Sequence, residues 1–231
     1  MCGRYSLSAP GDLLAEVFDL PDVPSLAPRY NVAPTQEAAV VRQAAPGAPR
    51  RLDLLRWGLV PAWAEGPHDG SRRINARFET VASRPSFRDS LRRQRCLVPA
   101  DGFYEWRRQG RVRQPFHIRR PDRRPLAMAG LWASWRQPGS DAPPLESFTV
   151  LTCPPNATVA PLHDRMPLVL PPAAWDVWLA GELADPRAVL AALPPLPDDA
   201  VEAVPVSRLV NSPHHDEPGC LAVEPGLFDE R

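Results

Sequence analysis

The sequence predicts an α+β fold in one domain, in which mainly antiparallel strands form a twisted, barrel-like sheet with helices at its periphery. Prolines and glycines, 31 and 13 in number, are spread along the whole chain, which indicates many turns and short elements. Short strand-like segments outnumber the helical ones, and no interdomain linker longer than a hairpin loop separates them. A chain of 231 residues is long enough to bury a sizeable core without disulfides or metals.

The first elements follow from hydrophobic periodicity. The apolar residues of GDLLAEVF (residues 11–18) share one face of a short helix, which Pro21 ends. Strand-like segments follow at residues 38–41 (AAVV) and 51–61 (RLDLLRWGLVP), joined by a turn-rich stretch. Residues 86–94 predict a second helix, because Phe87 and Leu91 are four residues apart.

The central segment CLVPADGFYEWRRQGRVRQPFHI (residues 96–118) predicts a strand, a turn, a strand, a hairpin and a strand, with Gln109 and Gly110 at the tip. In the second half, Asp185 and Pro186 have the N-cap and first-turn positions of a helix. The remaining predicted elements are strands at residues 126–135, 147–153 and 201–207 and helices at residues 173–182 and 185–193.

The formal net charge of zero conceals an uneven distribution. Residues 72–124 carry 16 of the 27 basic residues and only 5 acidic ones, whereas the flanking regions are acidic. Every basic residue is arginine, for which a GC-rich genome is the simplest explanation. Such a bias does not explain why the arginines concentrate in the middle of the chain. A concentrated arginine field is suited to a polyanionic partner.

The four cysteines exclude several classes of protein. They include no CxxC pair, which argues against a zinc ribbon or a dithiol redox motif and favours a reduced, intracellular protein. Cys96, Cys153 and Cys220 are interpreted as packing residues. The first twenty residues lack a continuous apolar region, and no segment has the roughly 18 apolar residues of a membrane span. We therefore expect a cytoplasmic protein, associated with the nucleoid when it is bound to DNA.

Cys2 directly follows Met1, and the small side chain at position 2 permits removal of the methionine. The product would carry a free α-amine with a pKa of about 7.7 to 8.0 and a thiol with a pKa near 8.5 on adjacent carbons. Such a pair can condense with an aldehyde to an imine and close to a thiazolidine, or act as an N-terminal nucleophile on a peptide. An inert terminus is the ordinary alternative.

Three other segments carry candidate site residues. Asn75 and Arg77 in INARFET share one face of a predicted strand, where an amide can orient a substrate and a guanidinium can bind an anion. Glu105 stands among aromatic residues in GFYEW, so burial would raise its pKa and make it a proton shuttle. His163 lies in a proline-bounded loop that could fix its imidazole. A turn asparagine, solvated charges and a surface histidine are the alternatives, and no spacing suits a zinc site.

The segments MCGRY, RYNVAP, RWGLVPAW, INARFET, CLVPADGFYEW and LHDRMPLVL together resemble the SRAP family of SOS response-associated peptidases. They occur in the family's order, and the tail VSRLVNSPHHDEP is similar to the family's closing segment. The resemblance implies an SRAP domain over residues 2–223, followed by a tail at residues 224–231. It also implies an enzyme of DNA repair that crosslinks to abasic sites in single-stranded DNA or at junctions with duplex DNA, and that removes residues preceding its cysteine.

The resemblance assigns a role to each candidate residue. Cys2 would be the nucleophile, Asn75 would orient its amine, Glu105 would shuttle protons and His163 would act as general acid on the sugar oxygen. The positions expected to bind DNA are Arg4, Arg77 and Arg165, which match phosphate-contacting positions, and Trp63, which matches an aromatic that stacks on bases. The family implies no cofactor and no metal, and we expect a monomer.

Two other functions remain open at the level of sequence. The first is a cysteine peptidase or amidohydrolase that uses Cys2, His163 and Glu105 on peptides. The second is a noncatalytic module that binds unpaired DNA through Trp63 and the arginines. Only the DNA-binding functions need the arginine field, and only the covalent ones need a free amino terminus at Cys2.

Overall fold

The computed structural model describes residues 2–110 and 112–225, so Met1, Arg111 and the last six residues of the expected tail lie outside it. Short strands dominate and helices are few. The strands are β1 Tyr5–Leu7, β2 Arg29–Val32, β3 Glu37–Gln43, β4 Arg50–Trp57, β5 Asn75–Arg77, β6 Arg95–Ala100, β7 Gly102–Gln109, β8 Val112–Arg119, β9 Leu126–Trp135, β10 Leu145–Cys153, β11 Met166–Pro167 and β12 Glu202–Pro205. The helices are α1 Gly11–Phe18, α2 Arg88–Arg93, α3 Trp175–Leu179 and α4 Pro186–Ala192. None of the helices in the described residues is long and apolar enough to cross a membrane.

The strands form two sheets. The first sheet is antiparallel and has the order β12-β8-β7-β1-β2. The second has the order β11-β10-β4-β3-β6-β9, with further pairing of β10 to β9 and β5. In this sheet β10 runs parallel to β4 and β5 and antiparallel to β9. The α+β prediction is confirmed, and long-range pairing brings β5 and β1, which lie far apart in the chain, into neighbouring parts of the molecule.

Most predicted elements are present. The Asp185 side chain accepts hydrogen bonds from the amides of Arg187 and Ala188, which confirms it as the N-cap of α4. The strand predicted to reach residue 61 instead ends at Trp57, because Gly58 has a φ of 126° that a strand cannot continue. The helix predicted over residues 173–182 is shorter and follows a 3₁₀ turn at Pro172–Ala174.

Tryptophans join the two sheets and the helices into one core. Trp57 is fully buried between Tyr5 of the first sheet and Phe148 of the second, and its indole N–H donates to the carbonyl of Ile74. Trp178 of α3 is also buried and donates to the carbonyl of Cys96. These hydrogen bonds satisfy the polar atoms of large side chains, so each can occupy the core without loss. The segment leading to β5 is thereby fixed against the first sheet.

The cysteines are all free thiols. Cys96 and Cys220 are buried and Cys153 is half-buried, in agreement with their interpretation as packing residues. Cys220 lies in a 3₁₀ turn at Pro218–Leu221, not in or beside a strand.

Candidate functional site

The site begins with Cys2, which lies just before β1 and is completely buried. Its carbonyl accepts a hydrogen bond of 2.8 Å from the side-chain amide nitrogen of Asn75. Asn75 opens β5, which pairs in parallel with β10 of the second sheet, whereas Cys2 leads into the first sheet. The site therefore lies where the edges of the two sheets meet, and each sheet contributes part of it.

Glu105 reaches the site from β7, the neighbour of β1. The backbone of Arg4 accepts a hydrogen bond of 3.0 Å from the amide of Tyr104, which holds the chain leading from Cys2 beside Glu105. The Glu105 side chain is almost fully buried, at 2% exposure. Burial raises the pKa of this carboxyl to about 7, and the negative charge of Asp164 adds to the increase. A carboxyl with this pKa can both donate and accept a proton near neutral pH.

The Cys2 thiol is a weak acid in this setting. Burial raises its pKa far above the ordinary value, and the nearby charge of Glu105 raises it further. The backbone pairing of Tyr104 with Arg4 places Glu105 on the strand beside the chain that leads from Cys2. At neutral pH the thiol is therefore protonated and needs a base to become a nucleophile.

Two buried oxygen atoms in the site have no hydrogen-bond partner among the residues that the structure describes. They are Oδ1 of Asn75 and Oε1 of Glu105. Buried polar atoms are almost always paired, and leaving one unpaired costs roughly 1 to 3 kcal/mol. Both atoms are acceptors. The site is thus arranged to receive donor groups, which a free α-amine on Cys2 or a bound substrate can supply.

His163 lies in the loop before β11 and is about 29% exposed at its side chain. Its Nδ1 is 3.0 Å from the amide nitrogen of Arg165 and 2.8 Å from a carboxylate oxygen of Asp164. Nδ1 cannot accept from the amide and donate to Asp164 at once. Burial lowers the pKa of His163, which favours the neutral ring, with Nδ1 as acceptor and the proton on Nε2. In this tautomer Nε2 is a donor.

The four candidate catalytic residues therefore converge. Asn75 contacts Cys2 directly, Glu105 is electrostatically coupled to Cys2, and Asp164 couples the His163 loop to Glu105. In the part of the chain that the structure describes, no group of three or more His, Cys, Asp or Glu side chains could hold a metal ion.

The candidate DNA-binding residues differ in their exposure and in their contacts with other protein groups. Arg77 is exposed at the end of β5. Arg4 is half-buried and donates to Oδ1 of Asn31 at 2.8 Å and to the carbonyl of Val210 at 2.9 Å. Arg165 forms a bidentate ion pair with Glu79, in which both N···O distances are 2.5 Å. Arg4 and Arg165 are therefore held by protein groups, and Arg77 alone of the three extends into solvent.

Trp63 is 58% exposed, and one face of its ring lies 5.4 Å from the guanidinium carbon of Arg73. Arg73 itself is fixed by hydrogen bonds to the carbonyl of Asp69 and the hydroxyl of Ser86. Because Arg73 precedes Asn75 by two residues, Trp63 lies on the β5 side of the site. More than half of the Trp63 surface is exposed, as a stacking platform requires.

Sequence reasoning missed the residues that hold these arginines. Asn31 lies within RYNVAP and Glu79 within INARFET, both of which were recognised as motifs, yet neither was assigned a role. The closing segment VSRLVNSPHHDEP was identified only by its similarity to the family. Within it, Asp216 forms an ion pair with Arg29 and accepts hydrogen bonds from the amides of Tyr30 and Asn31. Motif membership was the only sequence signal for these partners.

Comparison with known proteins identifies the family of this chain. Residues 1–213 match the family described as SOS response associated peptidase (SRAP). Relatives include the abasic site processing protein YoqW of Bacillus subtilis, 39% identical over 94% of this chain and 97% of the relative. The abasic site processing protein YedK of Escherichia coli is 34% identical over 92% of this chain and 95% of the relative.

A more distant relative and a solved structure are also similar to this chain. The abasic site processing protein HMCES of Xenopus tropicalis is 31% identical over 84% of this chain and 66% of the relative. A crystal structure of a Bacteroides thetaiotaomicron protein has the same fold, with a TM-score of 0.83, 23% identity and coverage of 96% and 100% of the two chains. On the evidence of its sequence over residues 1–213, this chain belongs to the SRAP family.

Proposed function

We propose that this protein processes abasic sites in DNA by forming a covalent thiazolidine between its Cys2 and the ring-opened sugar. The proposal includes removal of Met1, so that Cys2 has both a free α-amine and a thiol. The relatives named as abasic site processing proteins support the general activity. The specific chemistry rests on the site itself.

The observation that carries the proposal is the pair of unpartnered acceptors beside Cys2. Oδ1 of Asn75 and Oε1 of Glu105 are buried and lack donors, while the other amide atom of Asn75 is fixed on the carbonyl of Cys2. An amide that is held at one end directs its free oxygen to a defined position. An α-amine on Cys2 has the donors that such an oxygen can accept.

The proposed reaction proceeds through a carbinolamine and an imine to a thiazolidine. The amine nitrogen attacks the C1′ aldehyde carbon of the opened sugar and forms a carbinolamine. The protonated carboxyl of Glu105 donates its proton to the hydroxyl, which leaves as water, and a C=N bond forms. The sulfur then attacks the imine carbon while its proton passes through Glu105 to the nitrogen. The net change is loss of one water and formation of a five-membered ring, with no oxidant or reductant.

The neighbouring residues have supporting roles. A pKa of about 7 allows Glu105 to act first as acid and then as base. The raised pKa of the thiol makes that base necessary. The lowered pKa of His163 makes its imidazolium a stronger acid, so the protonated form of His163 serves as the general acid that protonates the ring oxygen when the sugar opens, and the proton released by the C1′ hydroxyl returns to the imidazole. Asn75 keeps the amine in the geometry for attack.

The DNA is held beside this centre by positive charge and stacking. Arg77 extends from β5 to a backbone phosphate, and Arg4 and Arg165 contribute positive charge closer to Cys2. Trp63 stacks on an unpaired base, an interaction that contributes roughly 1 to 3 kcal/mol per base. Because stacking on one exposed ring face needs an unpaired base, we propose single-stranded DNA as the substrate.

The same site is less suited to a general cysteine peptidase. Such an enzyme attacks through a thiolate in a partly exposed, electropositive setting. Cys2 is completely buried and the pKa of its thiol is raised by burial and by Glu105. Removal of the single residue Met1 remains compatible with the proposal, since it requires no cleft for a longer peptide.

Intact mass spectrometry tests the proposal. The purified protein is measured alone and after incubation with a single-stranded oligonucleotide that carries one abasic site. We expect loss of Met1 and, without any reductant, a heat-stable adduct with the summed mass less one water. Cys2→Ser should lose the heat-stable adduct, whereas the matched variant Cys153→Ser, which changes a half-buried cysteine at the end of β10, should retain it.

Three outcomes contradict the proposal. A heat-stable adduct in Cys2→Ser excludes the thiazolidine. A protein that has lost Met1 but remains unmodified favours the peptidase. A protein that retains Met1, binds the oligonucleotide and forms no adduct is a noncatalytic binding module.

A further inference from the structure

Part of the arginine field of the middle region forms ion pairs in the folded protein. Arg88 pairs with Asp89, Arg120 with Asp122 and Arg124 with Glu16. Two acidic residues each contact two arginines, and these are Glu182 with Arg92 and Arg93, and Glu202 with Arg119 and Arg123. Residues from the acidic flanks therefore compensate some of the charge excess, and a net positive charge remains.

Some arginines of this region have no carboxylate partner among the described residues. Arg77, next to the site, is one of them. Arg108 and Arg113 are two more, and both are exposed near the tip of the β7–β8 hairpin. We call residues 107–110 and 112–113 the hairpin arm. Arg108 and Arg113 thus place positive charge at a second, separate location, without a carboxylate partner among the described residues.

The two arginines of the hairpin arm face each other across the sheet. In the β7–β8 register Arg108 is directly opposite Arg113. Side chains opposite each other in an antiparallel pair have Cβ atoms about 5 Å apart, and like charges there destabilise the hairpin. The pairing of these two arginines therefore does not stabilise the folded protein. An anion bound between the two guanidinium groups would remove the repulsion, and phosphate is the anion whose geometry arginine fits best.

The hairpin arm is the outer part of the strand that carries Glu105. Arg108 is three residues beyond Glu105 on β7, which corresponds to about 10 Å along a strand, and this odd spacing places the two side chains on opposite faces of the sheet. Burial is the main reason for the lowered pKa of His163, and the positive charge of Arg108 lowers it further. A stacked single strand covers about 10 Å in roughly three nucleotides.

The arm and Arg77 belong to different sheets. Arg77 lies on β5, which pairs with β10 of the second sheet, and Arg108 lies on β7 of the first. Cys2 and its partners occupy the junction between these sheets. A strand whose abasic nucleotide is at Cys2 can therefore meet positive charge on both sides of the lesion.

We propose that the hairpin arm binds the phosphate backbone of the DNA strand that flanks the abasic nucleotide, on the side of the site opposite Arg77. Arg108 and Arg113 are the binding residues. The inference rests on the proposed function for the identity of its ligand. It adds a second strand-binding surface to the residues that surround Cys2.

The test uses an oligonucleotide that carries a tetrahydrofuran analogue of the abasic sugar, which cannot open to an aldehyde, so that only binding is measured. The dissociation constant is determined at several salt concentrations for the wild type, Arg108→Gln/Arg113→Gln and Arg120→Gln/Arg124→Gln. The last variant is a matched control, since it removes the same charge from two exposed arginines that are already paired with Asp122 and Glu16.

For the arm variant we expect a dissociation constant raised about fivefold or more at low salt, and a log–log salt slope shallower by about 1.4, or 0.7 per lost phosphate contact. The control should change the slope by much less. Truncating the flanking strand on one side of the lesion should reduce wild-type binding to the level of the arm variant. Truncation on the other side should reduce wild type and arm variant equally.

Three results would overturn the inference. These are an unchanged slope in the arm variant, an equal change in the control, and a wild type that is insensitive to both truncations. Failure of the arm and failure of the proposed function remain distinguishable. If the wild type forms the thiazolidine adduct with a true abasic site while the arm variant binds normally, only the arm is refuted; if no adduct forms, the proposed function fails.

Discussion

Two buried polar clusters in this protein differ in how completely their hydrogen bonds are satisfied. The side-chain oxygen and nitrogen of Asn31 both have partners. Around Cys2, an oxygen of Asn75 and an oxygen of Glu105 have none among the described residues. Unpaired buried atoms also occur elsewhere, for example at Tyr5 and Thr149, so the contact with Cys2, and not the missing partner alone, marks the second cluster as the reactive one.

The Asn31 cluster fastens the closing segment of the chain onto β2. Its amide nitrogen donates to three carbonyls, those of Val210, Ser212 and His215, and its oxygen accepts from Arg4. Asp216 completes the cluster by accepting from the amide of Asn31 itself. Arg4 is thereby held in one orientation between Cys2 and the closing segment. The Asn31 cluster therefore positions Arg4, a side chain of the Cys2 cluster.

The largest expected effect concerns Glu105. Glu105→Gln keeps the shape of the side chain but removes its ability to transfer protons, so we expect the rate of thiazolidine formation to fall by about 10²- to 10⁴-fold. Single-turnover crosslinking measures this rate. Binding to the tetrahydrofuran oligonucleotide should be unchanged, which separates catalysis from affinity. A rate within threefold of the wild type would remove Glu105 from the mechanism.

The second prediction concerns the satisfied cluster. Asn31→Ala removes the donor to the carbonyls of Ser212 and His215 and one of the two partners of Arg4, and we expect it to lower the free energy of unfolding by about 3 kcal/mol. In a chain of this size, that corresponds to a melting temperature lower by roughly 6 to 12 °C.

The control for Asn31 is Asn211→Ala. Asn211 is exposed and accepts one hydrogen bond, from the indole of Trp106, so its loss should cost about 1 kcal/mol or less. Equal losses of stability in the two variants would show that complete hydrogen bonding gives the Asn31 cluster no special structural role.

The contrast also explains which parts of the molecule the sequence can reveal. The helix α1, the β3–β4 pair and the β7–β8 hairpin follow from local periodicity and turn residues. The strands β1 and β2 were not predicted, because they are three and four residues long and exist through pairing with distant segments. Local patterns cannot encode such pairing.

In the site, too, local features were visible in the sequence and long-range contacts were not. The common face of Asn75 and Arg77 and the aromatic surroundings of Glu105 are local, and both were visible in the sequence. The contact of Asn75 with Cys2 joins residues 73 positions apart, and no spacing rule predicts it. The Glu79–Arg165 pair spans 86 positions and was missed although both residues lie in motifs that carried the family resemblance.

The third prediction concerns the pH dependence of stability that Glu105 causes. Because burial raises the pKa of Glu105 from 4.5 to about 7, the folded protein binds more protons than the unfolded chain between these values, and stability falls as pH rises through that window. Glu105→Gln removes this effect. Its stability relative to the wild type should therefore increase between pH 4 and pH 8, by about 1 to 3 kcal/mol.

Urea unfolding of both proteins at the two pH values measures this difference. Glu79 provides a control of opposite sign, since its hydrogen bonds to Arg165 lower its pKa. The stability that Glu79 contributes is present above its unfolded pKa and is lost as pH falls. Glu79→Gln should therefore lose stability relative to the wild type as pH rises. If the difference in unfolding free energy between Glu105→Gln and the wild type does not depend on pH, Glu105 has an ordinary pKa.

The smallest expected effect concerns the Glu79–Arg165 pair, which belongs to neither cluster. The carboxylate of Glu79 occupies both terminal nitrogens of Arg165, so a phosphate must compete with it for the guanidinium. We expect Glu79→Gln to bind the tetrahydrofuran oligonucleotide about threefold more tightly, with a log–log salt slope steeper by about 0.7. Glu16→Gln, which removes an exposed partner of Arg124, is the matched control for loss of one negative charge. If Glu79→Gln instead weakens binding, Glu79 holds Arg165 in its binding pose. The ion pair then has the same role as the contact of Asn31 with Arg4. Each fixes an arginine beside the site, and Glu79 does so for Arg165.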